Sequence, residues 1–231
     1  MKFLTNKIQN LIWYKNFINN NKKLFPLDYD KKKNKKSEIL VEFNAFQNSH
    51  IPLSYLSNVL AKNYNSEINS FYNYSLISSP LKNTFLNEIK WIIGNTFSLK
   101  NFGVYRSFGV KKIFKPETFL KFDQKKLKKK TESIYKKLKY KEDVLKIKIN
   151  NILIGDLIYD TYLKKFIEPT VKIQDKKFYN LLKDFISLFE FWNLYFKKKN
   201  IKAVVGVHTP YSYGLILRMA INKNIPAYAT S

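Results

Sequence analysis

The sequence predicts an α/β fold built on an open, mainly parallel sheet with helices on both faces. Three observations predict it. Ala203 to Val207 (AVVGV) is a short continuous apolar run, as expected of a fully buried parallel strand. A long helical pattern, Asp175 to Lys199, precedes that run; a second helical stretch opens at Thr209-Pro210 after it, and Ile225 to Tyr228 then begins another strand, completing a β-α-β unit. Ile39 to Phe43 (ILVEF) reads as a buried strand early in the chain, so strands alternate with helices along it.

The elements follow in order. Met1 to Phe25 is basic and amphipathic, with Leu4, Ile8, Leu11, Ile12 and Ile18 at roughly helical spacing. Two readings stand: a surface helix packed on the domain, or a peripheral helix resting on acidic lipid. It lacks the apolar core and cleavage site of a signal peptide, and no apolar run reaches ~18 residues, so no span is expected. Asp30 to Ser37 is a solvated charge run and linker, giving an N-terminal segment over 1–36 and a domain over 37–231. After the ILVEF strand comes a polar loop, Asn44 to His50, then a helix over Leu53 to Asn63. Ile68 to Tyr72 is a second strand. Leu81 to Ile93 is a helix with Phe85, Ile89 and Ile92 on one stripe and Gly94 near its end. Asn101 to Pro116 reads as short extended pieces, and Lys125 to Tyr140 as a lysine-laden helix in an exposed hairpin or insertion. Val144 to Ile152 is strand-like, and a helix starts near Asp156. In the helix over Asp175 to Lys199, Phe178, Leu181, Leu182, Phe185, Leu188, Phe189, Trp192, Tyr195 and Phe196 repeat at three and four. Asp175 caps its start, Lys197 to Lys199 suit its negative end, and Asn200 can take a left-handed exit.

Composition excludes several chemistries. With no cysteine there is no disulfide, thiolate zinc site or cysteine nucleophile. Two histidines, His50 and His208, cannot build a histidine-rich metal cluster, and six glycines include no phosphate-cradle fingerprint. The net charge of +25 points towards polyanions. Yet lysine, asparagine, isoleucine, phenylalanine and tyrosine fill over half of the 231 residues, a bias of A/T-rich codons, and arginine occurs only as Arg106 and Arg218. Nucleic-acid sites use the bidentate arginine fork, so nucleic acid is not the expected partner.

Ligands of open parallel sheets bind beyond the carboxyl ends of the strands. Both histidines fall there: His50 closes the loop after the first strand, and His208 follows AVVGV directly. His208 also abuts the helix predicted to open at Pro210, with Tyr211, Ser212 and Tyr213 in its first turn and Gly214 allowing a close approach. His50 reads equally as a hydrogen-bonded structural residue. Asp156 and Asp160 are four apart and share a helix face. Asp156 serves as readily as an N-cap, and Asp160 can pair with Lys164. With Tyr159 and Tyr162 they make a polar-aromatic patch suited to hydroxyl-rich ligands. Two carboxylates at this spacing do not define a metal cage.

The stretch Ile154-Gly155-Asp156-Leu157-Ile158-Tyr159-Asp160-Thr161-Tyr162-Leu163 resembles a motif of bacterial surface-polysaccharide (capsule-type) biosynthesis proteins of the glycosyltransferase kind. His208-x-x-Tyr211-x-x-Gly214, then Arg218-Met219-Ala220 and Ile225-Pro226-x-Tyr228, is similar to a second block of that group. The resemblance covers roughly Val144 to Tyr228 and is faint around Ile39 to Asn63. It implies a Rossmann-like domain, the N-terminal and acceptor-binding half of a two-domain GT-B-like fold. The nucleotide-sugar donor would bind a C-terminal half, so no cofactor is expected here. The chain ends at Ala229-Thr230-Ser231, where the last strand would deliver its loop, and we expect a second half to follow. The implied partner is a saccharide or lipid-linked saccharide acceptor, handled in the cytoplasm or at the inner face of the membrane; peripheral contact with an anionic membrane surface belongs to the second reading of Met1 to Phe25. His208 is the first candidate for catalytic base, then His50, then Asp160. Asp156, Tyr159, Tyr162, Tyr211, Tyr213, Gly214 and Arg218 are the candidate binding residues, and no metal ligands are expected. The competing reading is a non-enzymatic basic module for nucleic acid or another polyanion, using the lysines at 31–36, 125–130 and 197–199.

Overall fold

The computed structural model describes residues 2–26, 37–44, 47–72, 85–116 and 124–229. The charge run at 31–36, the first residues of the helix expected from Leu81, and Thr230 and Ser231 lie outside the described residues. Five strands, β1 (Ser37–Glu42), β2 (Glu67–Phe71), β3 (Val110–Phe114), β6 (Asn200–Gly206) and β7 (Ala227–Ala229), form one open sheet in the order β3-β2-β1-β6-β7. All its pairings are parallel. The remaining strands, β4 (Lys148–Ile149) and β5 (Ile152–Leu153), pair with each other as a small antiparallel hairpin apart from the sheet. The fold is therefore α/β and Rossmann-like.

Alternation along the strands divides the core. Ile39 and Val41 face one side with Ile68, Val110, Ala203 and Val205. That face is covered by α2 (Gln47–Asn63) and α4 (Asn101–Ser107). Leu40, Phe71 and Val204 face the other side. There they meet α8 (Lys176–Lys198), with Phe71 and Trp192 in an edge-to-face contact at 5.1 Å. Around α8 lie α5 (Gln124–Tyr135), α6 (Lys141–Leu145), α7 (Gly155–Phe166) and α9 (Gly214–Ile221). A sheet buried on both faces explains why its strands read as continuous apolar runs. The N-terminal α1 (Lys2–Leu24) docks on α4: Tyr14 donates to Asn101 at 3.0 Å, and Asn21 donates to Ser107 at 2.9 Å.

Several expectations are corrected. His50 lies within α2 rather than at the end of a loop, because the helix begins before Pro52 and accommodates it. Residues 101–107 are helical, not extended: Val104, Tyr105 and Phe108 make a buried face at helical spacing that seven residues were too few to announce. Val144 belongs to α6, and the strand-like signal shrinks to the β4–β5 hairpin, turned by Asn150 and Asn151 at φ 49° and 65°. The lysine-laden helix is not a detached insertion. Leu127 and Thr131 are buried against α8, and Lys130 pairs with Glu190. Asn200 takes no left-handed exit but opens β6, since Lys199 is already extended. Asp175 does cap α8, accepting the Lys177 N–H at 2.8 Å.

Candidate functional site

The strand order reverses direction between β1 and β6, so the switch point of this sheet lies at their carboxyl ends. Open parallel sheets bind ligands in that crevice. Glu42 closes β1 there. It is buried on the α8 face, close beneath Gly206, and its Oε2 accepts the Val207 N–H at 2.9 Å. Burial pushes its carboxyl up to about 7, against the pull of that hydrogen bond. Tyr105 of α4 fastens the same strand end. Its hydroxyl donates to the Glu42 carbonyl at 2.7 Å and accepts from the Asn44 N–H at 2.9 Å. The buried Glu42 carboxylate thus ties the exits of β1 and β6 together, and the buried Tyr105 phenol pins the β1 exit to α4.

His208 follows β6 at this edge and is exposed, with its ring edge-to-face with Tyr213 at 6.0 Å. The helix expected to start at Pro210 starts later. A single 3₁₀ turn, Tyr211–Tyr213, intervenes, and α9 begins only at Gly214. His208 therefore does not sit against the α9 N-terminus. Tyr211 holds a left-handed φ of 57°. Gly214 is required by close approach: a Cβ there would run into the Thr209 carbonyl and crowd Leu157.

That contact with Leu157 brings α7 alongside. Asp156, Asp160 and Lys164 descend α7 one turn apart. Asp156 receives a bidentate pair from Arg218 of α9, at 2.6 and 2.5 Å, and Arg218 also donates to the Leu153 carbonyl at 2.9 Å. Burial raises Asp156, but the Arg218 guanidinium more than offsets it and holds the carboxyl below its usual range. Burial, then the Asp156 charge, push Asp160 above its ordinary value, with Arg218 pulling the other way. Lys164 does not pair with Asp160; its ammonium sits 4.1 Å from the Tyr211 ring centroid and 5.8 Å from that of Tyr213.

The structure thus joins Asp156, Asp160, Tyr211, Tyr213, Gly214 and Arg218 in one neighbourhood beside His208. Three candidates stand elsewhere. Tyr162 has no exposed surface and packs against Phe166 and Phe178, because its helix face is the one turned to α8. Tyr159 turns towards the 166–170 loop, its hydroxyl 3.1 Å from Thr170 Oγ1. His50 shares the sheet edge but is fully buried in α2, on the opposite face from α7 and α9. Tyr213 is also buried, leaving Tyr211 as the more accessible ring. Glu42 and Tyr105 were not singled out from sequence, and Lys164 only as a salt partner for Asp160. Only Glu42 carried a signal: a carboxylate inside an otherwise apolar buried strand. Among the described residues, no group of three or more His, Cys, Asp or Glu is placed to hold a metal ion.

The Asp156–Arg218 pair staples the β4–β5 hairpin and α7 to α9. Both side chains remain about one-third exposed, so solvent screens the pair. Arg218→Met is expected to cost about 1 kcal/mol in urea denaturation, and Asp156→Asn about the same. Because the two share one interaction, the double variant should cost little more than either single one. Strictly additive losses would show that the pair does not couple these elements.

Comparison with family models, with curated proteins and with solved structures returns no match.

Proposed function

We propose that this chain is the acceptor-side domain of a sugar-transferring enzyme of GT-B-like build, acting on a saccharide or lipid-linked saccharide. One observation carries the reading: two sequence blocks nearly fifty residues apart, around 154–164 and 208–218, pack into a single polar-aromatic surface next to the switch point. Its chemistry suits a hydroxyl-rich ligand. The half-exposed Tyr211 ring offers a stacking face, Asp160 accepts hydroxyl protons, and Lys164 offers positive charge to a phosphate. In an inverting transfer, the acceptor oxygen bonds to the anomeric carbon of the donor as the bond from that carbon to the phosphate oxygen breaks. The nucleoside diphosphate leaves with the electron pair, and the acceptor proton passes to the base. His208 is the base in this scheme, being the exposed imidazole at the edge, with Asp160 next. Full burial moves His50 behind both.

Tyr211→Asn tests the binding face. Asparagine tolerates the left-handed backbone while removing the ring. The expected result is a KM for the acceptor raised about tenfold with a much smaller change in kcat, as the loss of one stacked ring implies. An unchanged KM would remove Tyr211 from the site.

The basic surface of α5 is peripheral to this chemistry. Lys126, Lys128 and Lys129 are exposed on α5, which packs against α8. Replacing all three by glutamine should leave transfer by the full-length protein nearly unchanged. A large loss would favour the polyanion reading, in which affinity falls steeply with salt and neither histidine matters.

A further inference from the structure

The helix α3 (Phe85–Thr96) is packed inside out. Its inward side is small or polar. Gly94 lies against the Phe102 ring, which a Cβ there would push aside, and Asn95 donates to the Ile113 carbonyl at 3.0 Å. Glu88 takes the buried Lys115 ammonium at 2.7 Å. Trp91 brings an inward apolar surface, against Phe43, Tyr72 and Phe102, and Ile89 is half-buried. The apolar stripe faces out: Phe85 is 80% exposed, Leu86 65%, Ile92 59% and Ile93 44%, and Phe97, just past the helix, 70%. At 100° per residue these positions fall within one arc of about 140°. A contiguous apolar face of this kind on a folded domain marks an interaction surface.

We propose that α3 docks this domain on an anionic lipid bilayer, lying in the interface plane with its apolar stripe among the acyl chains. Charge selects the occupant. The chain carries +25, so a second copy seated on the stripe would bring like charge against like, whereas an acidic lipid surface complements it. Exposed Lys90 and Lys100 flank the stripe, where their stems can reach the headgroups. No helix among the described residues is long and apolar enough to cross a membrane, so the contact is a surface one. The helix N-terminal to this region, α1, is a weaker candidate. Its Ile12 and Trp13 are exposed, but Tyr14, Ile18 and Asn21 are spent on α4. The place of α3 matters too. Phe43, Tyr72 and Lys115, on which it rests, follow the carboxyl ends of β1, β2 and β3, so the docked bilayer would meet the sheet edge that carries His208. Only that last consequence rests on the sugar-transfer reading; the docking itself does not.

The test uses lipid, not activity. Vesicles of phosphatidylcholine alone are compared with vesicles containing roughly one-quarter phosphatidylglycerol, a surface that attracts lysines by about 1 kcal/mol each. The 231-residue chain should co-sediment with the anionic vesicles at least about tenfold more strongly. Phe85→Ser/Leu86→Ser/Ile92→Ser should weaken that partition by at least about a hundredfold. These side chains are exposed, so circular dichroism and the melting curve should not move. The chain has no cysteine, so I92C carries a single environment-sensitive fluorophore. Its emission should shift to the blue with anionic vesicles, while the same label at K128C on α5 should not. Equal binding by the triple-serine variant, or no shift at I92C, overturns the proposal. Concentration-dependent dimerisation abolished by the triple variant, with no vesicle binding, also overturns it and makes the occupant a second copy.

Discussion

If the proposed sugar transfer is right, His208→Asn should lower it by about 10²–10⁴-fold, the usual contribution of a positioned general base, while the melting temperature stays close to the parent's. Asparagine keeps a polar, hydrogen-bonding side chain but cannot take up a proton. His208 is exposed at the carboxyl end of β6, and its only described ring contact is the edge of Tyr213, so little packing is lost. The assay is transfer from a nucleotide-sugar donor by the enzyme proposed above, with kcat and KM resolved. A fall in kcat with KM for the acceptor unchanged marks an interaction made in the transition state. Transfer at the parental rate would make His208 structural and move the base to Asp160. If that variant fails to fold, the pH–rate profile of the parent still decides. The temperature dependence of its acid limb separates the two, since an imidazolium loses its proton with a large enthalpy and a carboxylic acid with almost none.

Glu42→Gln removes most of the alkaline loss of stability. The folded carboxyl is pushed up to about 7, against an ordinary value of 4.5, because burial disfavours its charge. The folded state therefore binds this proton more tightly than the unfolded chain. The resulting stability is complete below about pH 4.5 and is lost as pH rises to and through about 7. The difference corresponds to roughly 3 kcal/mol. Glutamine is nearly isosteric and its carbonyl can still accept the Val207 N–H. In urea denaturation the variant should match the parent at pH 4.5 and exceed it by a few kcal/mol at pH 8. Asp184, also raised by burial to about 6, keeps its own smaller contribution in both proteins. Equal pH slopes in the two proteins would mean that Glu42 does not carry a buried charge above neutrality. Glu42→Ala is a useful contrast, since it also orphans the Val207 N–H and should be less stable than the glutamine variant by about 1–3 kcal/mol.

Much of the fold was legible where burial writes a simple pattern. The strands at 39–43, 68–72 and 203–207 were visible because a sheet covered on both faces needs unbroken apolar runs. The helix over 176–198 was visible because nine of its residues are buried at helical spacing. Short elements were not. Seven residues of α4 and two-residue strands are too brief for a period to show. The late start of α9 was hidden because Tyr211 adopts a left-handed conformation that non-glycine residues rarely signal. The two blocks of the candidate site were legible, but not their meeting in one surface. The Asp156–Arg218 pair spans 62 residues, and the Lys164–Tyr211 contact spans nearly fifty. Glu42 was hidden in plain view, since a charge in a buried strand reads as noise until its neighbour strand is known. The stripe at Phe85, Ile89 and Ile92 was seen correctly as a stripe; which way it faced depends on Gly94 and Trp91, which only packing reveals.

The central claim is that a saccharide binds at the carboxyl edge beside His208. Amide chemical-shift mapping tests it most directly. The 231-residue chain is titrated with a panel of neutral and acidic oligosaccharides and, separately, with a heparin oligosaccharide as a polyanion. The account predicts that at least one non-sulfated oligosaccharide shifts residues 206–214 and 156–164 together, and that Tyr211→Asn abolishes the response. Shifts confined to the exposed lysines of α5 and seen only with heparin, fading steeply with salt, would contradict it.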